Sequence, residues 1–181
     1  LGVNINFAPV IDVNSNPNNP IINNRSFGES PTKVAKMGIA FMNGLQDNNI
    51  LACAKHFPGH GDTDDDSHKT LPVVNHQRER LDKIELAPFQ ELINNGLGSV
   101  MIAHLNVPAL DESNIPSSLS FNVVNNLLKN EMNFTGLSIT DALNMKGVSN
   151  AYEPGIVDLK ALIAGNDVLL LFQQYILHEN V

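Results

Sequence analysis

Five short apolar segments alternate along the chain with segments in which apolar residues recur at helical spacing. The apolar segments run almost without polar interruption, as strands do when helices cover both faces of a sheet. This alternation predicts a parallel α/β sheet, either doubly wound or part of a barrel. The predicted strands are residues 3–10, 50–57, 99–105, 136–140 and 167–172.

Local signals for helix ends accompany the helical patterns. Ser30-Pro31 is a favourable N-cap followed by a first-turn proline, and the helix that it begins is expected to reach about Asn48. A second pattern is divided by Pro88, because proline removes a backbone donor and disturbs the preceding turn. This second pattern covers residues 81–96. Two further helices are predicted, one capped by Ser120 with apolar residues at 123–128 and one over residues 155–164.

Composition favours one globular unit and argues against several kinds of partner. The 181 residues are 43% hydrophobic and 17% charged, which suffices to bury a core. The formal charge is −8 without a Lys/Arg cluster, so nucleic acid is not an expected partner. No apolar run approaches the roughly 18 residues of a membrane-spanning helix. Cys53, the single cysteine, lies between two alanines of a predicted strand and is expected to be a buried, inert thiol.

One segment concentrates the titratable side chains, and it begins where the second predicted strand ends. Residues 55–72 read Lys-His-Phe-Pro-Gly-His-Gly-Asp-Thr-Asp-Asp-Asp-Ser-His-Lys-Thr-Leu-Pro. Parallel α/β sheets collect catalytic groups at the carboxyl ends of their strands. His104 and Asp141 lie at the ends of two other predicted strands, and Arg25 lies in the loop after the first. We therefore expect a functional site at this edge of the sheet.

A metal site is the first of three interpretations of this segment. Two of its histidines lie four residues apart, but Pro58-Gly59 between them prevents the helix of a zinc protease motif. Ser67 and Val73 replace the glycine and the bidentate glutamate that a calcium loop needs. A zinc site of the kind found in amidohydrolase-like barrels stays open as an alternative.

The second and third interpretations are structural and catalytic. Solvated aspartates that cap the next turn are the structural interpretation, which we favour for Asp64 and Asp65. In the catalytic interpretation, Asp66 lies two residues before His68, close enough in a turn to hold one ring nitrogen and tune the other. Asp141 supplies a second carboxylate from another strand. One anionic nucleophile and one proton-transfer group are the minimal apparatus for glycoside hydrolysis through a covalent intermediate.

Five motifs, taken together, resemble glycoside hydrolase family 3 in its branch of β-N-acetylglucosaminidases. The resemblance covers nearly the whole chain, and the motifs occur in the same order as in that branch. They are Phe7-Ala-Pro-Val-Ile-Asp-Val13, Asn24-Arg-Ser-Phe-Gly28, Lys55-His-Phe-Pro-Gly-His-Gly-Asp62, Asp66-Ser-His68 and Thr140-Asp-Ala-Leu-Asn-Met145.

The resemblance implies a division of roles among these residues. It implies Asp141 as the nucleophile of a retaining hydrolase, and His68, oriented by Asp66, as the general acid/base. For binding the sugar the resemblance implies Arg25, Lys55 and His56. The implied partner is a glycan or muropeptide containing N-acetylglucosamine, and no cofactor or metal is implied. A β-glucosidase and a non-catalytic carbohydrate-binding module remain alternatives, and for His104 the structural and functional interpretations stay open.

The resemblance also implies a fold, the (β/α)8 barrel. The first predicted strand is similar to the fourth of that barrel and the last to the eighth, so we expect residues 1–181 to be a fragment of one catalytic barrel domain without its first three β/α units. The segment 173–181 is expected to belong to the closing helix. A barrel without three strands exposes sheet edges and loses packing partners. The isolated chain is therefore expected to be unstable and poorly active.

Overall fold

The computed structural model describes residues 2–63, 71–149, 152–153 and 155–171. Four short strands form one sheet in the order β1-β2-β3-β4, which is also their order along the chain. Each strand pairs in parallel with the next. The predicted parallel α/β fold is thereby confirmed. The strands are β1 (Ile5–Asn6), β2 (Leu51–Phe57), β3 (Ser99–Ile102) and β4 (Leu137–Thr140).

Helices connect the strands, as the apolar periodicity predicts. They are α1 (Pro31–Gln46), α2 (Arg78–Lys83), α3 (Ala87–Asn94), α4 (Asn122–Glu131), α5 (Lys146–Ser149) and α6 (Ile156–Ala164). The hydrogen bonds of α4 follow the wider π pattern, and short 3₁₀ turns occupy Asn23–Arg25 and Ser117–Leu119. The helix α5 has no counterpart among the predicted elements. Within the described ranges, no helix combines the length and the apolar character that crossing a bilayer requires.

The helix-end signals act where the sequence places them. The Ser30 side chain accepts a hydrogen bond from the Lys33 amide, so it satisfies one of the first-turn donors of α1. Pro88 lies in the first turn of α3, where its missing amide hydrogen is not needed. The single apolar pattern therefore forms two helices, α2 and α3, as predicted.

The first predicted strand is regular over only part of its length. The Ala8 amide bonds back to the Asn6 carbonyl, and Pro9 has no amide hydrogen to donate to a neighbouring strand. Pairing with β2 resumes where Val10 opposes Lys55. The segment 5–10 thus stays beside β2 as far as the carboxyl end of β2, although the ladder of hydrogen bonds between the two strands is interrupted.

The fifth predicted strand is reduced to a short contact with β4. Val168 forms an isolated parallel bridge with Ile139, and the Thr140 amide donates to the Val168 carbonyl. Beyond this, the Leu143 amide donates to the Leu170 carbonyl. The segment 167–171 therefore lies along the outer side of β4, while Phe172 falls outside the described residues.

The main core fills the space between the sheet and α1, α3 and α4. Phe57 of β2 and Phe89 of α3 are both fully buried, and their rings meet edge to face with centroids 5.2 Å apart. The other face of the sheet buries a smaller cluster of Cys53, Met101 and Ile139. Burial raises the pKa of the Cys53 thiol to about 11. The prediction of a buried thiol is confirmed.

Gly61 marks a close approach between two parts of the chain at the carboxyl end of the sheet. A Cβ atom on Gly61 would lie 1.8 Å from the Val13 carbonyl oxygen, whereas one on Gly44 of α1 would meet nothing within 4 Å. We expect Gly61→Ala to lower the free energy of unfolding by about 3 kcal/mol, because backbone must move to admit the methyl group. Gly44→Ala is the matched control, and it should be neutral or stabilising by up to about 1 kcal/mol.

Urea unfolding of the intact protein measures both variants. Equal stability of the two would contradict the close approach at Gly61.

Candidate active site

The carboxyl ends of the strands meet at one edge of the sheet, and the predicted site residues gather there. Lys55 and His56 occupy the end of β2, Asp141 directly follows β4, and Arg25 ends the 3₁₀ turn that follows β1. The structure brings these four residues together. Asp66 and His68 lie in the segment 64–70, which is outside the described residues.

The charges of Arg25 and Asp141 both act on the Lys55 ammonium. Burial lowers the pKa of the Lys55 ammonium, and the positive charge of Arg25 lowers it further. The carboxylate of Asp141 acts in the opposite direction. Lys55, itself partly buried, therefore lies within electrostatic reach of a second cation and of a carboxylate at the edge of the sheet.

Asp141 is presented by the backbone that continues β4. Its amide donates to the Ile102 carbonyl at 2.8 Å, so the residue is tied to the end of β3. The Ala142 amide donates to Oδ1 of the Asp141 carboxylate at 2.8 Å. The side chain is partly exposed. One carboxylate oxygen is thereby oriented by the backbone of the next residue, at the carboxyl edge of the sheet.

His56 lies between a carboxylate and a guanidinium. Its Nδ1 is 2.8 Å from Oδ2 of Asp12, and its Nε2 is 3.4 Å from an Arg25 nitrogen. An ionised carboxylate can only accept, and a guanidinium can only donate. The two contacts therefore select the neutral imidazole with its hydrogen on Nδ1. In this tautomer Asp12 orients His56, and His56 in turn orients Arg25.

Asp12 is a site residue that the functional interpretation of the sequence did not single out. It is fully buried, and its carboxylate accepts hydrogen bonds from the His60 amide at 2.7 Å and from the His56 amide at 3.1 Å. A carboxylate inside an apolar strand-end segment must be paired to be tolerated. That position in Phe7-Ala-Pro-Val-Ile-Asp-Val13 is the signal that could have identified it.

The ionised form of Asp12 is favoured despite its burial. Burial by itself raises the pKa of the Asp12 carboxyl, but the facing His56 and His60 hold it below the ordinary value. Burial also lowers the pKa of the His60 imidazole. The charge at this point therefore resides on the carboxylate, and the folded chain supplies the donors that stabilise it.

A second layer of polar contacts holds the chain just before the segment 64–70. His60 Nδ1 lies 2.7 Å from the Thr63 hydroxyl, and the Asn19 amide group donates to the His60 carbonyl at 2.7 Å. Asn19 Oδ1 accepts from the amides of Ile21 and Ile22. The loop after β1 and the loop after β2 are thus joined through buried side chains.

Asp62 belongs to a chain of charged groups on the outer side of this loop. Its Oδ2 contacts His76 Nε2 and lies 3.2 Å from an Arg80 nitrogen. The other end of the guanidinium lies 3.0 Å from Glu85, which is 2% exposed. Burial raises the pKa of the Glu85 carboxyl, and the charge of Arg80 opposes this. Asp62 is thus engaged by two protein side chains, His76 and Arg80.

The buried pairing of Asp12 makes a pH-dependent prediction. The pKa of the Asp12 carboxyl is lower in the folded than in the unfolded state. Its contribution to stability is therefore fully present above the ordinary pKa near 4 and is lost as the pH falls through the pKa of the folded state. We expect Asp12→Asn to cost about 3–5 kcal/mol at pH 7. The difference from wild type should shrink as the pH is lowered below about 4.

Urea unfolding at a series of pH values measures this difference. Asp82→Asn is the control, since Asp82 pairs with Arg78 on an exposed surface and should cost at most about 1 kcal/mol. A pH-independent difference for Asp12→Asn would contradict the assignment of the charge to this carboxylate.

Comparison with known proteins identifies relatives of the whole arrangement. Over 94% of its length the chain is 43% identical to a protein named beta-hexosaminidase A from Pseudoalteromonas piscicida, of which it covers 30%. The solved structure of a glycoside hydrolase family 3 beta-N-acetylglucosaminidase from Paenibacillus sp. superimposes with a TM-score of 0.92 at 46% identity, with 94% of this chain and 32% of that chain covered. The solved beta-glucoside phosphorylase BglX superimposes with a TM-score of 0.91 at 30% identity, with 96% and 33% covered.

The chain spans about a third of the length of each of these proteins. The family model described as the glycosyl hydrolase family 3 N terminal domain matches residues 1–181. Since this match extends over every motif in which the resemblance was found, the chain belongs to glycoside hydrolase family 3.

Proposed function

We propose that this chain carries the catalytic centre of a retaining exo-β-N-acetylhexosaminidase, which removes terminal β-linked N-acetylglucosamine. The observation that carries the proposal is the gathering of Asp141, Lys55 and Arg25 at the carboxyl edge of one parallel sheet. Relatives named beta-hexosaminidase and beta-N-acetylglucosaminidase support the choice of sugar.

Asp141 is the nucleophile in this proposal. Its carboxylate attacks the anomeric carbon, so a C–O bond to the enzyme forms as the glycosidic C–O bond breaks. The hydrogen bond from the Ala142 amide to Oδ1 supports this role, because it holds the carboxylate in one orientation at the open edge of the sheet. A nucleophile that is already oriented avoids an entropic cost in the transition state.

Proton transfer is assigned to His68, with Asp66 as its orienting carboxylate. In the first step the imidazolium gives its proton to the departing glycosidic oxygen. In the second step the neutral imidazole takes a proton from water while that water attacks the anomeric carbon and releases Asp141. Two successive inversions at the same carbon give net retention. This assignment rests on the Asp66-Ser-His68 motif, since both residues lie outside the described part of the chain.

Arg25, Lys55 and His56 are assigned to the sugar. Arg25 and Lys55 offer hydrogen-bond donors at the edge where Asp141 is partly exposed. The Asp12–His56–Arg25 contacts support this assignment, because they hold the donors in place before the sugar binds. The substrate proposed for the intact protein is a glycan or muropeptide that ends in N-acetylglucosamine.

The fold proposed for the intact domain is a (β/α)8 barrel, of which residues 1–181 supply the part from the fourth to the eighth strand. A doubly wound sheet reverses its strand order at a switch point, whereas this sheet keeps the order β1-β2-β3-β4. Apolar side chains are exposed at both ends of the described sheet, and this also supports further β/α units packed at those ends. Examples are Val3, 54% exposed beside β1, and Ile163, 64% exposed on α6.

A second candidate is a family member that acts on β-glucosides. The superposition on a beta-glucoside phosphorylase with a TM-score of 0.91 favours it, because the described strands and helices match that protein nearly as well as the beta-N-acetylglucosaminidase. The sugar preference then depends on contacts to the substituent at carbon 2.

Activity of the intact protein tests both candidates. We expect an aryl β-N-acetylglucosaminide to be hydrolysed with a higher kcat/KM than the matching aryl β-glucoside. Asp141→Asn should lower kcat by about a thousandfold or more, since an amide cannot form the glycosyl-enzyme. Asp47→Asn, at an exposed position between the end of α1 and the start of β2 and so at the opposite edge of the sheet from Lys55 and His56, is the matched control and should be fully active. Preference for the glucoside would favour the second candidate, and full activity of Asp141→Asn would overturn the nucleophile.

The role of His68 is tested by separating the two steps. With an activated aryl leaving group, His68→Ala should slow deglycosylation more than glycosylation, because the first step then needs little proton donation. Pre-steady-state release of the aryl group reports the first step, and steady-state turnover reports the second. Azide, which attacks without a general base, should restore turnover of the variant. Wild-type rates in both steps would exclude His68 as the acid/base.

A further inference from the structure

His104 is a buried histidine at the end of β3 whose contacts lead to the residue after Asp141. It is 1% exposed. Its Nε2 lies 3.0 Å from the Ala142 carbonyl oxygen, and its Nδ1 lies 2.7 Å from the Ser118 hydroxyl oxygen. Ser118 belongs to the 3₁₀ turn Ser117–Leu119. The imidazole therefore bridges this turn to the backbone that follows β4.

The hydrogen on the ring is assigned by its partners. A carbonyl oxygen can only accept, so Nε2 must carry the hydrogen and donate to Ala142. A hydroxyl can donate as well as accept, so in the neutral imidazole the Ser118 hydroxyl donates to Nδ1. Ser118 is itself held in place, because its carbonyl accepts from the Asn166 side chain at 2.8 Å.

The Ala142 contact matters because Ala142 also binds the carboxylate of Asp141. Its amide donates to Oδ1 at 2.8 Å while its carbonyl accepts from His104 at 3.0 Å. The neighbouring peptides are restrained as well, by the bond from the Asp141 amide to Ile102 and by that from the Leu143 amide to Leu170. The Ala142 carbonyl also accepts from the Met145 amide at 3.0 Å, and among the side chains that the structure describes His104 is the one that contacts it.

We propose that His104 is a positioning residue for the nucleophile: it holds Ala142 so that the Ala142 amide keeps Oδ1 of Asp141 in place and Oδ2 faces the anomeric carbon. The inference rests on the proposed role of Asp141 as nucleophile. In the first step Oδ2 bonds to carbon 1 as the glycosidic bond breaks, and in the second water displaces the same oxygen. Both steps use the orientation that Ala142 maintains, so both depend on His104.

Substitutions of His104 can separate its two contacts. In His104→Gln the terminal amide nitrogen takes the place of Nε2 and still donates to Ala142. In His104→Asn the shorter side chain keeps a partner for Ser118 but does not reach Ala142, and His104→Leu removes both contacts. A purely structural role requires only that the interior is well packed and that its polar groups are hydrogen-bonded. Such a role does not predict that Gln preserves the reaction rate while Asn lowers it.

The adjacent serines provide a matched pair. Ser118→Ala removes the hydroxyl that holds Nδ1. Ser117→Ala removes an equally buried hydroxyl that donates to the Leu105 carbonyl at 2.7 Å. Both variants lose one buried hydrogen bond in the same turn. Only Ser118 is connected to His104 and, through it, to Ala142.

The readout is the rate at which Asp141 becomes covalently labelled. The probe is a fluorinated N-acetylglucosaminyl fluoride, whose leaving group needs no proton, used with the intact protein, and mass spectrometry locates the label. We expect His104→Asn and His104→Leu to be labelled roughly ten- to a hundredfold more slowly than wild type, because a small displacement of a nucleophile is costly. His104→Gln should stay within about threefold of wild type, and Ser118→Ala should be slower than Ser117→Ala. Urea unfolding of each variant accompanies the rates.

The outcomes distinguish the inference from the function on which it rests. Rapid labelling of wild type with equal rates in His104→Gln, His104→Asn and the serine pair would overturn the positioning role alone. If His104→Leu fails to fold, the comparison of Ser118→Ala with Ser117→Ala decides the same question. Wild-type protein that is never labelled at Asp141 would overturn the proposed nucleophile, and the inference with it.

Discussion

The buried carboxylate of Asp12 is the constraint on which the described part of the site depends. A carboxylate without access to water is tolerated only when donors surround it. Here the donors are the amides of His56 and His60 and the His56 ring, and all of them come from the chain at and after the end of β2. Satisfying one charge therefore joins the segment that follows β1 to the loop after β2. The same contacts determine the tautomer of His56 and its contact with Arg25.

Two carboxylates at this edge of the sheet have different surroundings, and the difference separates their roles. Asp12 is fully buried, and both of its oxygens accept hydrogen bonds from His56 or His60. Asp141 is partly exposed and receives one backbone hydrogen bond on Oδ1. A carboxylate surrounded by donors serves structure, whereas one that is oriented and accessible is suited to chemistry. Lys55 lies within electrostatic reach of both.

Local sequence signals predicted the elements better than their pairing. Ser30 and Pro88 act within a turn of their own position, so their effects on α1 and α3 could be read from the chain. The length of β1 could not be predicted from the chain, since it depends on the hydrogen bonds that Asn6, Ala8 and Pro9 form beside the neighbouring strand. The short contact of residues 167–171 with β4 likewise depends on tertiary packing. The helix α5 is only four residues long and offers too short an apolar pattern to recognise.

The sequence by itself determined the family, the parallel α/β class and the gathering of Arg25, Lys55, His56 and Asp141 at one edge, because strand ends and motifs are local properties. Only the tertiary structure decided that Asp12 holds His56, that Asp62 is engaged by His76 and Arg80, and that His104 contacts the carbonyl of Ala142. These contacts join residues between 14 and 44 positions apart, and which groups meet is settled by packing. The physical reason is burial: each polar group that leaves water must find its partner in three dimensions, wherever along the chain that partner lies.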